Sequence, residues 1–219
     1  MPLSNSPPAL VIFDCDGVLV DSETVSNQAL VDNLARYGVN IDLPRCMDLF
    51  VGSTMSGVMQ KAIDLGAALH NGWIEEIYQE TYDALQNGVD IVPGIPELLE
   101  QLDRAEIQTC VVSNGSEDKM QITLGQNGLW NRFDGAVFSA HTLGVSKPDP
   151  GLFLAAANHY TAQPHDCLVI EDSPTGALAA ARAGMRCLGY AALTAPEKLS
   201  DQGAEVILDM SEVAPLIGL

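Results

Sequence analysis

Ala9-Leu10-Val11-Ile12-Phe13-Asp14-Cys15-Asp16-Gly17 is the stretch on which the fold turns. Its first five residues are apolar, do not alternate with polar ones, and stop at an acid. Such a run suits a strand buried on both faces of a parallel sheet, whereas a strand with one wet face would alternate. Working outward, similar runs occur at 109–112, 136–138, 167–170 and Arg186–Tyr190. Helical patterns separate them at 96–102, 119–130, 150–160 and Pro174–Ala183. The last is dense in alanine, which lets a helix lie close on a sheet, and Gly184 can cap its C-terminus. Strands that alternate with helices predict an α/β fold, a doubly wound, Rossmann-like parallel sheet.

Residues 24–90 break this rhythm. They hold no convincing strand but show helical periodicity at 25–37, 55–69 and 73–85, with Gly38, Gly52, Gly72 and Gly88 between or after these segments. The reading is an all-helical domain, 24–90, inserted into an α/β core made of 1–23 and 91–219. A length of 219 residues allows one large domain or two small ones. With 47% hydrophobic residues and 18% charged ones, the chain can fill a core, which excludes disorder as its main state.

Lys and Arg total 10 against 29 Asp and Glu, a net charge of −19. Neither nucleic acid nor an anionic membrane is an expected partner, since both require a basic face. An anionic substrate would need a local positive site built against the chain's own field, and a divalent cation is one way to build it. Five widely spaced cysteines (Cys15, Cys46, Cys110, Cys167, Cys187) read as reduced, mostly buried thiols. The first residues carry no basic or apolar leader pattern, and no apolar run reaches the ~18–20 residues of a membrane span. A cytoplasmic location is expected.

Chemistry-bearing residues stand just beyond the strands. Asp14 and Asp16, at i and i+2 on a loop leaving a strand, can both reach one point at the sheet's C-terminal edge, where open α/β sheets bind ligands; Asp-x-Asp-Gly also occurs in calcium loops and turns. Ser113-Asn114-Gly115 after the second strand could cradle a phosphate or form an ordinary turn. Lys147 lies next to Pro148, in a loop that Pro150 closes, where it is either positioned or simply solvated. Glu171 and Asp172 end the fourth strand and repel each other unless a cation or lysine neutralises them. Asp172 or Ser173 could also cap the helix that follows.

The ordered set Phe13-Asp14-Cys15-Asp16-Gly17-Val18, Ser113-Asn114-Gly115, Lys147-Pro148-Asp149-Pro150 and Glu171-Asp172-Ser173-Pro174-Thr175-Gly176 resembles the haloacid dehalogenase-like (HAD) superfamily of phosphohydrolases. The resemblance implies a Mg²⁺-dependent phosphatase acting on a small phosphate ester, as a monomer or weak homodimer. By the same resemblance Asp14 is the nucleophile that becomes an aspartyl-phosphate, and Asp16 is the general acid and base. Asp14, the Asp16 carbonyl and Asp172 would ligate the metal, with Glu171 beside them, directly or through water or Lys147. Ser113, the Asn114 amide, Gly115 and Lys147 would hold the phosphoryl group.

Residues 24–90 would correspond to the family's helical cap, with substrate contacts from the loop 51–54, notably Gly52 and Ser53. Asp16, an acid–base group that dehalogenases lack, favours phosphoryl transfer. Ser26, and Gly52-Ser53-Thr54, stand where β-phosphoglucomutase-like members carry a His and an Arg, so a hydrolase is preferred to a mutase. The stretch from Ser113 to Met120 is similar to that of bacterial 6-phosphogluconate phosphatases, which points to a sugar phosphate or sugar-acid phosphate and makes Lys119 a candidate for a substrate carboxylate.

Overall fold

The computed structural model describes residues 7–50 and 53–219. They fall into two compact units: Met1–Val20 with Asp90–Leu219, and Asp21–Val89.

In the first unit, β1 (Leu10–Phe13) lies at the centre of a six-stranded sheet. The other strands are β2 (Gln108–Ser113), β3 (Val137–Ser139), β4 (Cys167–Glu171), β5 (Arg186–Tyr190) and β6 (Glu205–Ile207). The order is β3-β2-β1-β4-β5-β6, and every pairing is parallel. Ile12 stands opposite Cys110 on one side and Val169 on the other. All four β1 residues are fully buried, which is why the run could not alternate. Burying each such side chain contributes roughly 1.5–3 kcal/mol. The chain builds outward from β1 through β2 and β3, then crosses to β4 on its other flank. That reversal opens a crevice at the C-terminal ends of the central strands.

Helices α5 (Ile95–Arg104), α8 (Ala140–Leu143) and α9 (Gly151–His159) belong to this unit, and α10 (Pro174–Ala183) follows β4 directly; Ser173 accepts from the Gly176 N–H at 3.0 Å as its N-cap, and Gly184, at φ +73°, closes its C-terminus. The expected single helix over 119–130 is instead two, α6 (Glu117–Gly125) and α7 (Leu129–Arg132). Gly128 between them takes a left-handed φ of +73°, which no continuing helix allows. Strand β6 was not expected from the sequence; three residues with an acid in front give too short a pattern.

Among its described residues the second unit is all helical: α1 (Ser22–Arg36), α2 (Leu43–Phe50), α3 (Met55–Asp64) and α4 (Trp73–Gln86). Leu30, Leu34, Cys46, Phe50, Val58, Trp73 and Ile77 form its core. Buried Asn33 accepts from Trp73 Nε1 at 2.7 Å and donates to Glu76 and Glu80, both at 3.0 Å. Helix α2 was also unexpected; Pro44 sits in its first turn, where a proline is tolerated. Helix α3 ends at Asp64 and does not reach 69, since the chain turns through Gly66 at φ +101°.

Among the described residues no helix is long and apolar enough to cross a membrane. All five cysteines are free and buried.

Candidate active site

The loop after β1 is a tight turn fixed by its own backbone. Asp14 N–H donates to Ile170 O at 2.9 Å, extending the ladder by one residue. Leu19 and Val20 then donate to Cys15 O, and Gly17 donates to Val20 O at 2.8 Å. Gly17 adopts φ +78°, and a Cβ there would stand 2.2 Å from Asp172 Oδ2. Glycine is thus required both by the turn and by the approach of the Asp172 carboxylate. Val92 N–H donates to Leu19 O at 3.1 Å and Ile91 bridges Val20, so the chain leaves and re-enters this unit through adjacent backbone.

Lys147 is the hub. Its Nζ donates to Asp14 Oδ1 at 2.5 Å, Glu171 Oε1 at 2.6 Å and Val112 O at 2.8 Å, one acceptor for each ammonium proton. Its side chain is 2% exposed and lies 5.1 Å from the Phe153 ring centroid. Glu171 is fully buried; its other oxygen accepts from Ser173 N at 3.1 Å and Ser173 Oγ at 2.8 Å. A Cβ on Gly176 would fall 1.8 Å from Glu171 Oε1, so only glycine lets this carboxylate lie on the start of α10.

Two buried carboxylates share one ammonium. Burial pushes Asp14 up to about 7; Lys147 opposes that rise, while Glu171 and Asp16 add to it. Burial would lower the Lys147 ammonium, but Asp14 and Glu171 reverse this and hold it above the usual lysine range. The Lys147 shift reports the two carboxylates that face it, and the Asp14 shift reports burial first and its acidic neighbours second. Cys15, buried between the two aspartates, is held well above its usual range and stays a neutral thiol.

Carboxylate oxygens of Asp14, Glu171 and Asp172 lie within 4.8 Å of one another. An all-oxygen donor set with surplus negative charge fits a hard divalent cation such as Mg²⁺. Of the three, Glu171 has both oxygens engaged by Lys147 and Ser173. Asp14 and Asp172 are the better candidates.

At the end of β2, Ser113 is 2% exposed and its Oγ accepts from Gly115 N at 2.9 Å, which leaves its own proton to donate. Gly115 O accepts from Ser139 Oγ at 2.7 Å. The Asn114 carboxamide does not point into open space but bonds the Lys147 peptide group, with Lys147 N–H donating to Oδ1 at 2.8 Å and Nδ2 donating to Lys147 O at 3.3 Å. Lys119, on α6, is not a solvated lysine: its Nζ lies 2.8 Å from Asp16 Oδ1.

In the helical unit, Thr54 caps α3 through Gly57 N at 3.2 Å. Ser53 Oγ accepts from Lys61 Nζ at 2.8 Å. Val51 and Gly52, expected to contact substrate, lie outside the described residues.

Residues 11–190 match the haloacid dehalogenase-like hydrolase family. The chain belongs to that family. It is 29% identical over 184 residues to 6-phosphogluconate phosphatase of Escherichia coli K12, covering 83% of this chain and 82% of that one. It is 31% identical over 215 residues to validoxylamine A 7′-phosphate phosphatase of Streptomyces hygroscopicus subsp. limoneus, covering 95% and 98%. A HAD-family hydrolase from Deinococcus radiodurans R1, solved with bound phosphate and sodium, superposes with a TM-score of 0.86 at 28% identity, covering 96% of each chain. These relatives are named as phosphatases or hydrolases of the superfamily, and the phosphatases among them are phosphoric monoester hydrolases.

The HAD-like core holds partners that the motifs did not announce: Val112 O and Phe153 on Lys147, Ser173 on Glu171, and Arg182, whose Nη1 donates to Pro148 O at 2.9 Å. The spacing Glu-Asp-Ser-Pro-Thr-Gly carried a usable signal for Ser173, since a residue just before Pro at a helix start is a cap position. The other partners are long-range contacts with no local pattern.

Proposed function

We propose that this chain is a Mg²⁺-dependent phosphatase of small phosphorylated sugars or sugar acids, 6-phosphogluconate among them, working through an aspartyl-phosphate on Asp14. The observation that carries the reading is the buried Asp14–Lys147–Glu171 cluster with Asp172 beside it, set at the sheet's C-terminal edge. Lys147 fixes one oxygen of Asp14 and so the direction in which the carboxylate faces. Asp14 attacks phosphorus and the ester oxygen departs with a proton from Asp16. Asp16 then takes a proton from the water that attacks the aspartyl-phosphate, releasing inorganic phosphate and restoring Asp14. Ser113, whose hydroxyl proton is free to donate, and backbone N–H groups of its loop would hold the phosphoryl oxygens. Asp14, Asp172 and the Asp16 carbonyl would hold Mg²⁺, which when bound offsets phosphate charge as a Lewis acid.

Lys119 beside Asp16 sits on the leaving-group side of this scheme and is proposed to meet a substrate carboxylate there. The E. coli relative's name supports a sugar-acid phosphate; the Streptomyces relative is named for a different ester, validoxylamine A 7′-phosphate. The helical unit, which in sequence follows the Asp14–Asp16 loop, is proposed to select the leaving group through residues 51–54. The test is turnover by the purified chain with Mg²⁺ on a panel of neutral and acidic sugar phosphates. Phosphate release without an isomeric sugar phosphate is the expected result. Isomer formation without phosphate release would replace this reading with a mutase.

A further inference from the structure

We infer that the Asn114 side chain is the positioning group for Lys147 and does not contact substrate. Lys147 lies in an irregular loop, where no strand or helix ladder fixes its peptide group. Asn114 does so instead. Its carboxamide presents an acceptor and a donor side by side, and both are used on the one residue, Lys147 N–H to Oδ1 at 2.8 Å and Nδ2 to Lys147 O at 3.3 Å. The other end of the same lysine is gripped from the strand that Asn114 directly follows, Nζ donating to Val112 O at 2.8 Å. The end of β2 thus holds Lys147 by its backbone and by its ammonium, 33 and 35 residues away in sequence. Beyond the lysine, Arg182 takes Pro148 O at 2.9 Å and Asp149 N–H donates to Ser146 O at 3.0 Å. With the backbone fixed, the ammonium is delivered between Asp14 and Glu171 without a search through the rotamers of a long chain. A serine would be too short to make both bonds, and an aspartate would set an acceptor against the Lys147 carbonyl.

The inference rests on the reading that Lys147 serves the reaction, and a double-mutant cycle separates the two. Asn114 is exposed, so Asn114→Ala leaves no cavity and the chain should still fold, its melting temperature lowered by a few degrees at most as the two bonds to the Lys147 peptide are lost. In the full chain with Mg²⁺, Asn114→Ala should lower kcat about tenfold on both a sugar phosphate and p-nitrophenyl phosphate, with KM within about twofold. In a Lys147→Ala background, assayed by single turnover, the same change should add nothing beyond about twofold. Hydrogen exchange at the Lys147 amide should be about tenfold faster in Asn114→Ala and stay slow in Asn114→Asp, which keeps the acceptor. A full further tenfold loss in the Lys147→Ala background would place Asn114 on the substrate and overturn the inference, as would Lys147 exchange that does not respond to Asn114→Ala. Wild-type turnover from Lys147→Ala alone would instead remove the role given to Lys147, while the exchange measurement would still decide what Asn114 holds.

Discussion

Asp14→Asn should destroy activity and, without metal, stabilise the protein. The amide is isosteric and a poor nucleophile, so kcat should fall on the order of 10⁴–10⁶-fold, the scale of nucleophile deletions. Stability moves the other way because Asp14 is the surplus charge of a buried cluster, its carboxyl raised from 3.8 to about 7, chiefly by burial. A shift of roughly three units sets a ceiling of about 4 kcal/mol on the cost of ionising it in the fold. Part of that is returned by the charged bond to Lys147, which the amide makes only as a neutral acceptor. A net gain of about 1–2 kcal/mol is expected at pH 8, or roughly 2–8 °C in melting temperature for a chain of this size. The sign follows from linkage. A carboxyl raised in the folded state binds its proton more tightly there, so wild-type stability is greatest below the unfolded value and is lost as pH rises towards 7. The gap between variant and wild type should therefore widen from pH 5 to pH 7 and then level off. Calorimetric melting in EDTA at several pH values reads this directly, and added Mg²⁺ should raise the wild type more than the variant. A variant that melts lower than the wild type at pH 8 in EDTA would refute the surplus-charge argument.

Asp172→Ala should raise the Mg²⁺ concentration for half-maximal activity by about tenfold or more, the least expected for losing a direct ligand, as read in a metal titration. Gly176→Ala would put a Cβ 1.8 Å from Glu171 Oε1; a loss of about 2–3 kcal/mol in denaturant unfolding is expected, with reduced kcat as Lys147 loses its seat. Lys119→Ala should lower kcat/KM for sugar-acid phosphates about tenfold more than for neutral sugar phosphates, the worth of one charged contact. Equal losses on both substrate types would mean that Lys119 serves only Asp16. Changes at Ser53 and Thr54 should alter the preferred ester while leaving p-nitrophenyl phosphate hydrolysis within about tenfold, since a small ester draws little binding energy from remote contacts.

The sheet was legible because burial on both faces leaves an unbroken apolar run, and five of the six strands announced themselves that way. β6 did not, since an edge strand of three residues with Glu205 at its head has neither length nor hydrophobicity to stand out. Helix breaks were harder. Gly128 lies within a stretch read as one helix, and its backbone angle shows where that helix stops. The acids and Lys147 could be placed at one edge because each follows a strand, and parallel strands end together. What could not be read was which partner each polar group would take. The Asn114 carboxamide and the Lys119 ammonium both find partners across long stretches of chain, and no local spacing encodes such a choice.

Charge gives those partnerships a common logic. The chain has four lysines, and two of them stand at the site, each on one aspartate of the Asp-x-Asp pair: Lys147 on Asp14 and Lys119 on Asp16. Glu171 and Asp172 complete the cluster. Four carboxylates against two ammoniums leave two negative charges, which is the charge one divalent cation brings. A dianionic phosphate arriving at the lysines alone would meet a doubly negative site inside a chain of net charge −19. Burial chiefly, with Glu171 and Asp16 adding to it, lifts Asp14 to about 7, so without the cation its carboxyl is partly protonated at neutral pH and poor as a nucleophile. Offsetting the excess would therefore do two things at once: admit the substrate and return Asp14 to its reactive form. Lys147 alone cannot do this, because its three protons are already committed to Asp14, Glu171 and Val112.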